Sequence, residues 1–276
     1  TTVKAERFFF ARAQKRAFAG MLESPSTDLV RLFLLMSFYM LGACRRNAAF
    51  MYLGVASRAA VALGFHNPDT SGSIKVDQQL QRSRVWMSLV VLDLLVSSIL
   101  GRPSATATLR PDILNLVLPP NPRRAEKILA FSYLISLLLD EIITRLYGEG
   151  AAAAEAAESL LEKLKQWSDD LPPELLSPPS NHHGNSRTQE HIIGSLHVAC
   201  LYHFAAIVVT RPFLVSVLSL RLARTAQDFP DAQMPQEDPA HCRLADACIE
   251  SAVYMIQTCM EVYHSEFMLG NMCLLK

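Results

Sequence analysis

Residues 84–105 read RVWMSLVVLDLLVSSILGRPSA, an apolar run that carries one carboxylate, Asp93, near its middle. Trp86, Leu89, Val90, Asp93 and Ser97 fall at i, i+3, i+4, i+7 and i+11, which on a helix is one continuous face. Asp93 therefore shares the side that Trp86 buries. A buried carboxylate is costly unless a cation or several donors meet it, and Arg102, Arg58 and Arg84 are the candidate cations. Two accounts are open: a structural ion pair that locks the helix end, or a contact to a ligand. The stop is built in. Pro103 pushes its preceding residue out of the α region, and Gly101 permits a sharp exit.

The same 3.6-residue period recurs along the chain. Helices are expected over VKAERFFFARAQKRAFAGML and LVRLFLLMSFYMLGA, with capping side chains for the second between Ser24 and Asp28. A third, NAAFMYLGVASRAAVAL, should stop at Gly64. The opening helix runs from about Val76 to Leu100. Further helices are expected over 124–146, 151–169, 188–220 with a kink or break at Pro212, and 239–263. Residues 106–122 lack a helical period, are bracketed by prolines and should run extended. Two Pro-rich, polar stretches, 172–189 and 225–240, read as mobile surface loops. No alternating strand run appears, so the expectation is all-α, a single multi-helix domain over 1–276.

Composition sets limits on function. Lys and Arg number 26 and Asp and Glu 26, so no overall basic charge grips a nucleic-acid backbone. The six cysteines include no CxxC pair, which argues for reduced thiols and against a structural zinc site. With no opening signal peptide, an intracellular compartment fits. Residues 198–220 are apolar enough to weigh as a membrane span, but His203, Arg211 and Pro212 lie inside it. A central Arg costs such a span at least ~2.5 kcal/mol, so a buried soluble helix is expected.

Enzyme signatures fare poorly. Residues 148–153, GEGAAA, fit a dinucleotide loop only formally, because a helix and not a strand precedes them. Asp169, Asp170 and Glu174 resemble an acidic magnesium motif, yet Pro172 and Pro173 intervene and place them at a helix end. His182 and His183 fall in a loop, and His191 and His197 lack the i, i+4 spacing of a helical zinc pair. No catalytic residue, metal site or cofactor is assigned.

The runs NAAFMYLGVASRAAVALGFHNPD and RSRVWMSLVVLDLLVSSILGRPSA resemble the fungal-specific transcription factor domain, or middle homology region, of binuclear zinc cluster regulators. Matching positions are Met51, Tyr52, Gly54, Arg58, Ala62, Leu63, Gly64 and His66, then Arg84, Val85, Trp86, Asp93, Ser97, Leu100, Gly101, Arg102 and Pro103. LKQWSDDLPPEL and LYHFAAIVVTRPFL match later family segments, so the resemblance runs from about Leu32 to Cys259. Met87 stands where the family has a second Trp, and Gln78, Gln79 and Gln81 replace acidic residues.

The resemblance implies a non-catalytic, nuclear regulatory domain that responds to a small molecule or a partner protein such as a coregulator. DNA would be read by a zinc cluster absent from this chain, zinc would be needed only there, and the whole protein would be homodimeric. It also favours architecture for Arg58, Asp93, Gly101, Arg102 and Pro103, with Arg102 the first expected partner of Asp93 and Arg58 the second. Candidate ligand-binding residues are Phe38, Tyr39, Trp86, Tyr202 and His203, with Arg211 as a polar anchor. The alternatives are a ligand-independent docking scaffold and, more remotely, an all-α prenyl-handling enzyme.

Overall fold

A computed structural model describes residues 2–21, 24–67, 75–109, 119, 121–148, 153–176, 187–225 and 236–264. These residues contain helices and turns and no strand. The helices are α1 (Thr2–Gly20), α2 (Thr27–Gly42), α3 (Arg46–Ala62), α4 (Val76–Leu100), α5 (Arg124–Leu146), α6 (Ala154–Asp169), α7 (Pro173–Leu176), α8 (Arg187–Thr225) and α9 (Pro239–His264). Described residues up to Ser136 form one compact unit and those from Leu137 a second, the division falling inside α5.

In the first unit α2 packs most extensively on α3, and both reach α4. Ser26 caps α2 by accepting from the Leu29 N–H at 3.2 Å. Leu29, Val30, Phe33, Leu34 and Met36 then cover the core side of α2. Ser37 donates to the Ala49 carbonyl at 3.0 Å, tying α2 to the start of α3. α4 buries residues around most of its circumference, from Val85 to Ser97, as a central helix must.

Three helices of this unit end in one way. An N–H two or three residues past the last helical residue returns to a carbonyl five residues back: Arg45 to Met40 at 2.8 Å, Phe65 to Ala60 at 3.0 Å, and Arg102 to Ser97 at 3.0 Å. Each closure needs a left-handed residue just before it. Gly64 (φ 70°) and Gly101 (φ 62°) supply two of them, as their sequence contexts predict, and Cys44 (φ 58°) supplies the third. A side chain there is strained. Cys44→Gly should therefore stabilise the protein by about 0.5–1 kcal/mol after the extra unfolded-state entropy of glycine is subtracted. Urea denaturation measures it, and an unchanged or lower midpoint refutes the strain.

Beyond Gly101 the expected extended run is not what the described part shows. Residues 105–108 bend and turn, and the Leu109 N–H reaches the Thr106 carbonyl at 3.1 Å. Residues 110–118 and 120 lie outside the described set, as do 177–186 and 226–235, the centres of the two loops expected to be mobile. At the margins of those loops the chain is helical: α7 occupies 173–176, and α8 begins at Arg187.

In the second unit α8 packs along α9, with α6 and α7 beside it. α8 continues through Pro212, so of the expected kink or break no break occurs. Proline removes the donor for the Val208 carbonyl four residues back. The Tyr147 hydroxyl takes its place, donating to that carbonyl at 2.7 Å. α4 and residues 192–225 are each long and apolar enough to cross a membrane, and each buries most of that window inside the protein, as core helices do. Cys200 of α8 and Cys259 of α9 meet with sulfurs 3.7 Å apart, and burial beside Cys259 pushes the Cys200 thiol up to about 12.

Candidate functional site

A groove of about 590 Å³ runs between α2 and α4 in the first unit, within the size range of small-molecule sites. Leu34, Leu35, Phe38, Val85 and Leu92 form its apolar walls. Arg31, Gln81, Arg84 and Ser88 supply its polar groups. The helical period explains the grouping: 31, 34, 35 and 38 share one face of α2, and 81, 84, 85, 88 and 92 one face of α4. Arg31 donates to Gln81 at 3.2 Å across the two helices, which places Arg31 at the end of the groove where these faces begin, with Arg84 one turn farther along α4.

α4 is also the strut of this unit. Arg82 donates to the Leu63 carbonyl at the end of α3, and its guanidinium lies 4.9 Å over the Phe65 ring. Arg84 pairs with the buried Glu126 at the start of α5. Glu126 reaches back to the Arg123 N–H at 2.7 Å, which is half of a capping box. That backbone bond, with the Arg123 and Arg84 charges, holds its carboxyl below the usual carboxylate value despite burial.

The sign of the resulting pH dependence follows. A lowered folded value stabilises fully above the unfolded value, near ~4.3, and the contribution disappears as pH falls through the folded value. Thermal unfolding in acid should thus show a decline that Glu126→Gln makes shallower. An identical acid limb in the variant refutes this.

Asp93 is buried, and its Oδ2 accepts from the Thr106 N–H at 2.9 Å and the Thr106 hydroxyl at 2.8 Å. Neither of the two arginines expected to pair with it, Arg102 first and Arg58 second, is its partner. Arg102 instead lies 5.1 Å over the Phe50 ring, and Arg58 is exposed. The carboxylate binds the chain just past the αL exit at Gly101 and the exposed Pro103, so the loop folds back onto the helix it has left.

The six sequence-derived ligand candidates divide three and three between the units, and of them Phe38, 49% exposed, lines the groove. Its neighbour Tyr39 stacks on Phe10 at 4.7 Å. Trp86 is buried with its ring 6.3 Å from that of His66. In the second unit Tyr202 stacks on Trp167 at 6.3 Å and meets His203 edge-on at 5.2 Å. His203 in turn stacks on Tyr254 at 5.9 Å, and burial lowers its pKa. Arg211 is exposed and sits 5.1 Å over the Tyr147 ring, donating to its hydroxyl oxygen at 3.2 Å.

Sequence reasoning missed Arg31, Gln81, Ser88, Thr106 and Tyr147 as site or network residues. Glu126 carried a legible signal, an acid in the first turn of a helix; Tyr147 and Thr106 carried none. Asp169 and Asp170 are exposed at the end of α6, as a solvated helix end requires. A Cβ on Gly148 would meet the Thr144 carbonyl at 2.7 Å, so that glycine serves the exit of α5. Among the described residues no three His, Cys, Asp or Glu side chains gather into a metal-ligating group.

The class this geometry defines is an all-α domain with an apolar groove rimmed by arginine. The family described as "Fungal specific transcription factor domain" matches residues 7–144, half of the chain, and the chain belongs to that family. It is 25% identical over 248 residues to an uncharacterized transcriptional regulatory protein of Schizosaccharomyces pombe, covering 86% of this chain and 30% of that protein. It is 25% identical to Activator of stress genes 1 of Saccharomyces cerevisiae, covering 75% of this chain and 23% of that protein. With the acetamidase regulatory protein of Aspergillus oryzae it shares 32% identity over 63% of this chain and 24% of that protein. These relatives tie the domain to transcription regulation, and the chain spans less than a third of their length. No solved structure matches.

Proposed function

We propose that this chain is the effector-responsive regulatory domain of a fungal transcription factor and that a small molecule binds in the α2–α4 groove. The groove is the observation that carries the reading. One of its walls, α4, also grips α3 through Arg82, α5 through Arg84 and the following loop through Asp93. A ligand wedged against α4 biases all three attachments together, by as much as its affinity differs between their arrangements. The whole protein acts in the nucleus without catalysis and reads DNA through a zinc cluster outside this chain. Relatives are named for stress genes, acetamidase and thiamine repressible genes, so one framework serves different sets of regulated genes.

The test is a reporter driven by this chain fused between a foreign DNA-binding domain and an activation domain, grown on a panel of carbon, nitrogen and lipid sources. Output should change several-fold under some condition, and Ser88→Trp, which fills the groove, should abolish the change at equal protein level. A constant output, or a variant that responds like wild type, overturns the reading.

A docking role is the second reading. Ile249, Val253, Ile256 and Met260 of α9 are 45–63% exposed at 4-3-4 spacing, a narrow apolar seam. If the reporter is constant while alanine at Ile256 and Met260 lowers its output, docking is the better account.

A further inference from the structure

We infer that the α2–α4 groove takes an apolar monoanion, a carboxylate on a hydrocarbon or aromatic body; this rests on the groove being the effector site. Walls of Leu34, Leu35, Phe38, Val85 and Leu92 present hydrocarbon and one aromatic ring, so the ligand's body is apolar. The charged side chains of the lining are Arg31 and Arg84, and no carboxylate stands among the lining residues. Their present partners lie off the lining: Asp28 holds Arg31 at 3.1 Å from a fully wet position, 88% exposed, and Glu126 holds Arg84 from the buried start of α5.

Both side chains stay partly exposed, Arg31 by 41% and Arg84 by 36%, although the Nε of Arg84 is buried. Each guanidinium carries five donors. Arg31 uses one on Asp28 and one on Gln81, and Arg84 uses one on Glu126, so donors remain for a bidentate head group. The register places these donors at one end and the exposed ring of Phe38 farther along, so head and body bind at opposite ends of the groove. A dianion is disfavoured, since Asp28 offsets Arg31 and Glu126 is shared by Arg84 and Arg123, which leaves one net positive charge among these five groups.

The probe is 5-phenylvalerate against its neutral primary amide, added to this chain and followed by calorimetry and thermal shift. The acid at ten times its dissociation constant should raise the melting temperature by about 3–5 °C, and the amide should bind about tenfold more weakly. Arg31→Gln, a surface change that leaves the Arg84–Glu126 pair intact, should weaken the acid about tenfold and leave the amide unchanged. Ser88→Trp should remove binding of both.

Equal binding of acid and amide, no binding of either, or an Arg31→Gln variant that binds the acid like wild type overturns the inference. Acid binding that survives Ser88→Trp places the anion outside the groove and overturns it too. The broader reading fails separately: a reporter that responds and is silenced by Ser88→Trp, with no preference for the anion, leaves the groove as sensor and discards only this ligand class.

Discussion

Replacing Asp93 by alanine should lower the stability of the first unit by about 3–5 kcal/mol, because two buried donors lose their acceptor at once. Thr106 is fully buried, and both its N–H and its hydroxyl end on Asp93. Each donor stripped of its partner out of reach of water costs about 1–3 kcal/mol. Asp93→Asn keeps an acceptor but loses the charge that strengthens both bonds, and should cost about 1–3 kcal/mol. Thr106→Val removes the hydroxyl alone, so in a double-mutant cycle with Asp93→Asn the two losses should be less than additive. Denaturant midpoints measure all of these. An Asp93→Ala midpoint equal to wild type would falsify the account of this carboxylate as the clasp of the α4 exit.

The second large effect concerns Pro212. A proline inside a helix costs up to ~3 kcal/mol against alanine, and here part of that is offset by the Tyr147 hydroxyl on the Val208 carbonyl. Pro212→Ala restores the missing N–H donor and should stabilise the second unit by about 1–3 kcal/mol. Tyr147→Phe in the native background strands the carbonyl and should cost about 1–2 kcal/mol. In the Pro212→Ala background the same change should cost almost nothing, giving a coupling near ~1 kcal/mol. Strict additivity would show that tyrosine and proline are unrelated. Burial keeps the Tyr147 pKa raised even beside Arg211, so the hydroxyl remains a donor throughout the neutral range.

These two networks show where sequence reading reaches and where it stops. The groove is an intermediate case: its two faces were readable one helix at a time, since 31, 34, 35 and 38 follow the same period as the core. That α2 and α4 leave space between those faces follows from the path of α3 and was not in either segment. Phe38 entered the candidate list for its aromatic character and lines the groove. Arg84 entered as a partner for Asp93 and belongs instead to Glu126, because its place near the start of α4 reaches the first turn of α5.

What the sequence by itself determined is local. The apolar period fixed α4 and α5 at Val76–Leu100 and Arg124–Leu146, Gly64 and Gly101 marked the left-handed exits of α3 and α4, and Asp93 announced that something must satisfy it. Such features are legible because hydrogen-bond closure and steric limits act within a few residues. The tertiary structure alone decided who answers whom: Thr106 for Asp93, Tyr147 for the carbonyl freed by Pro212, Glu126 for Arg84. A buried charge or an orphaned carbonyl requires a partner but does not name one. Partners 13, 61 and 42 residues away along the chain are chosen by the packing that brings them within about 3 Å.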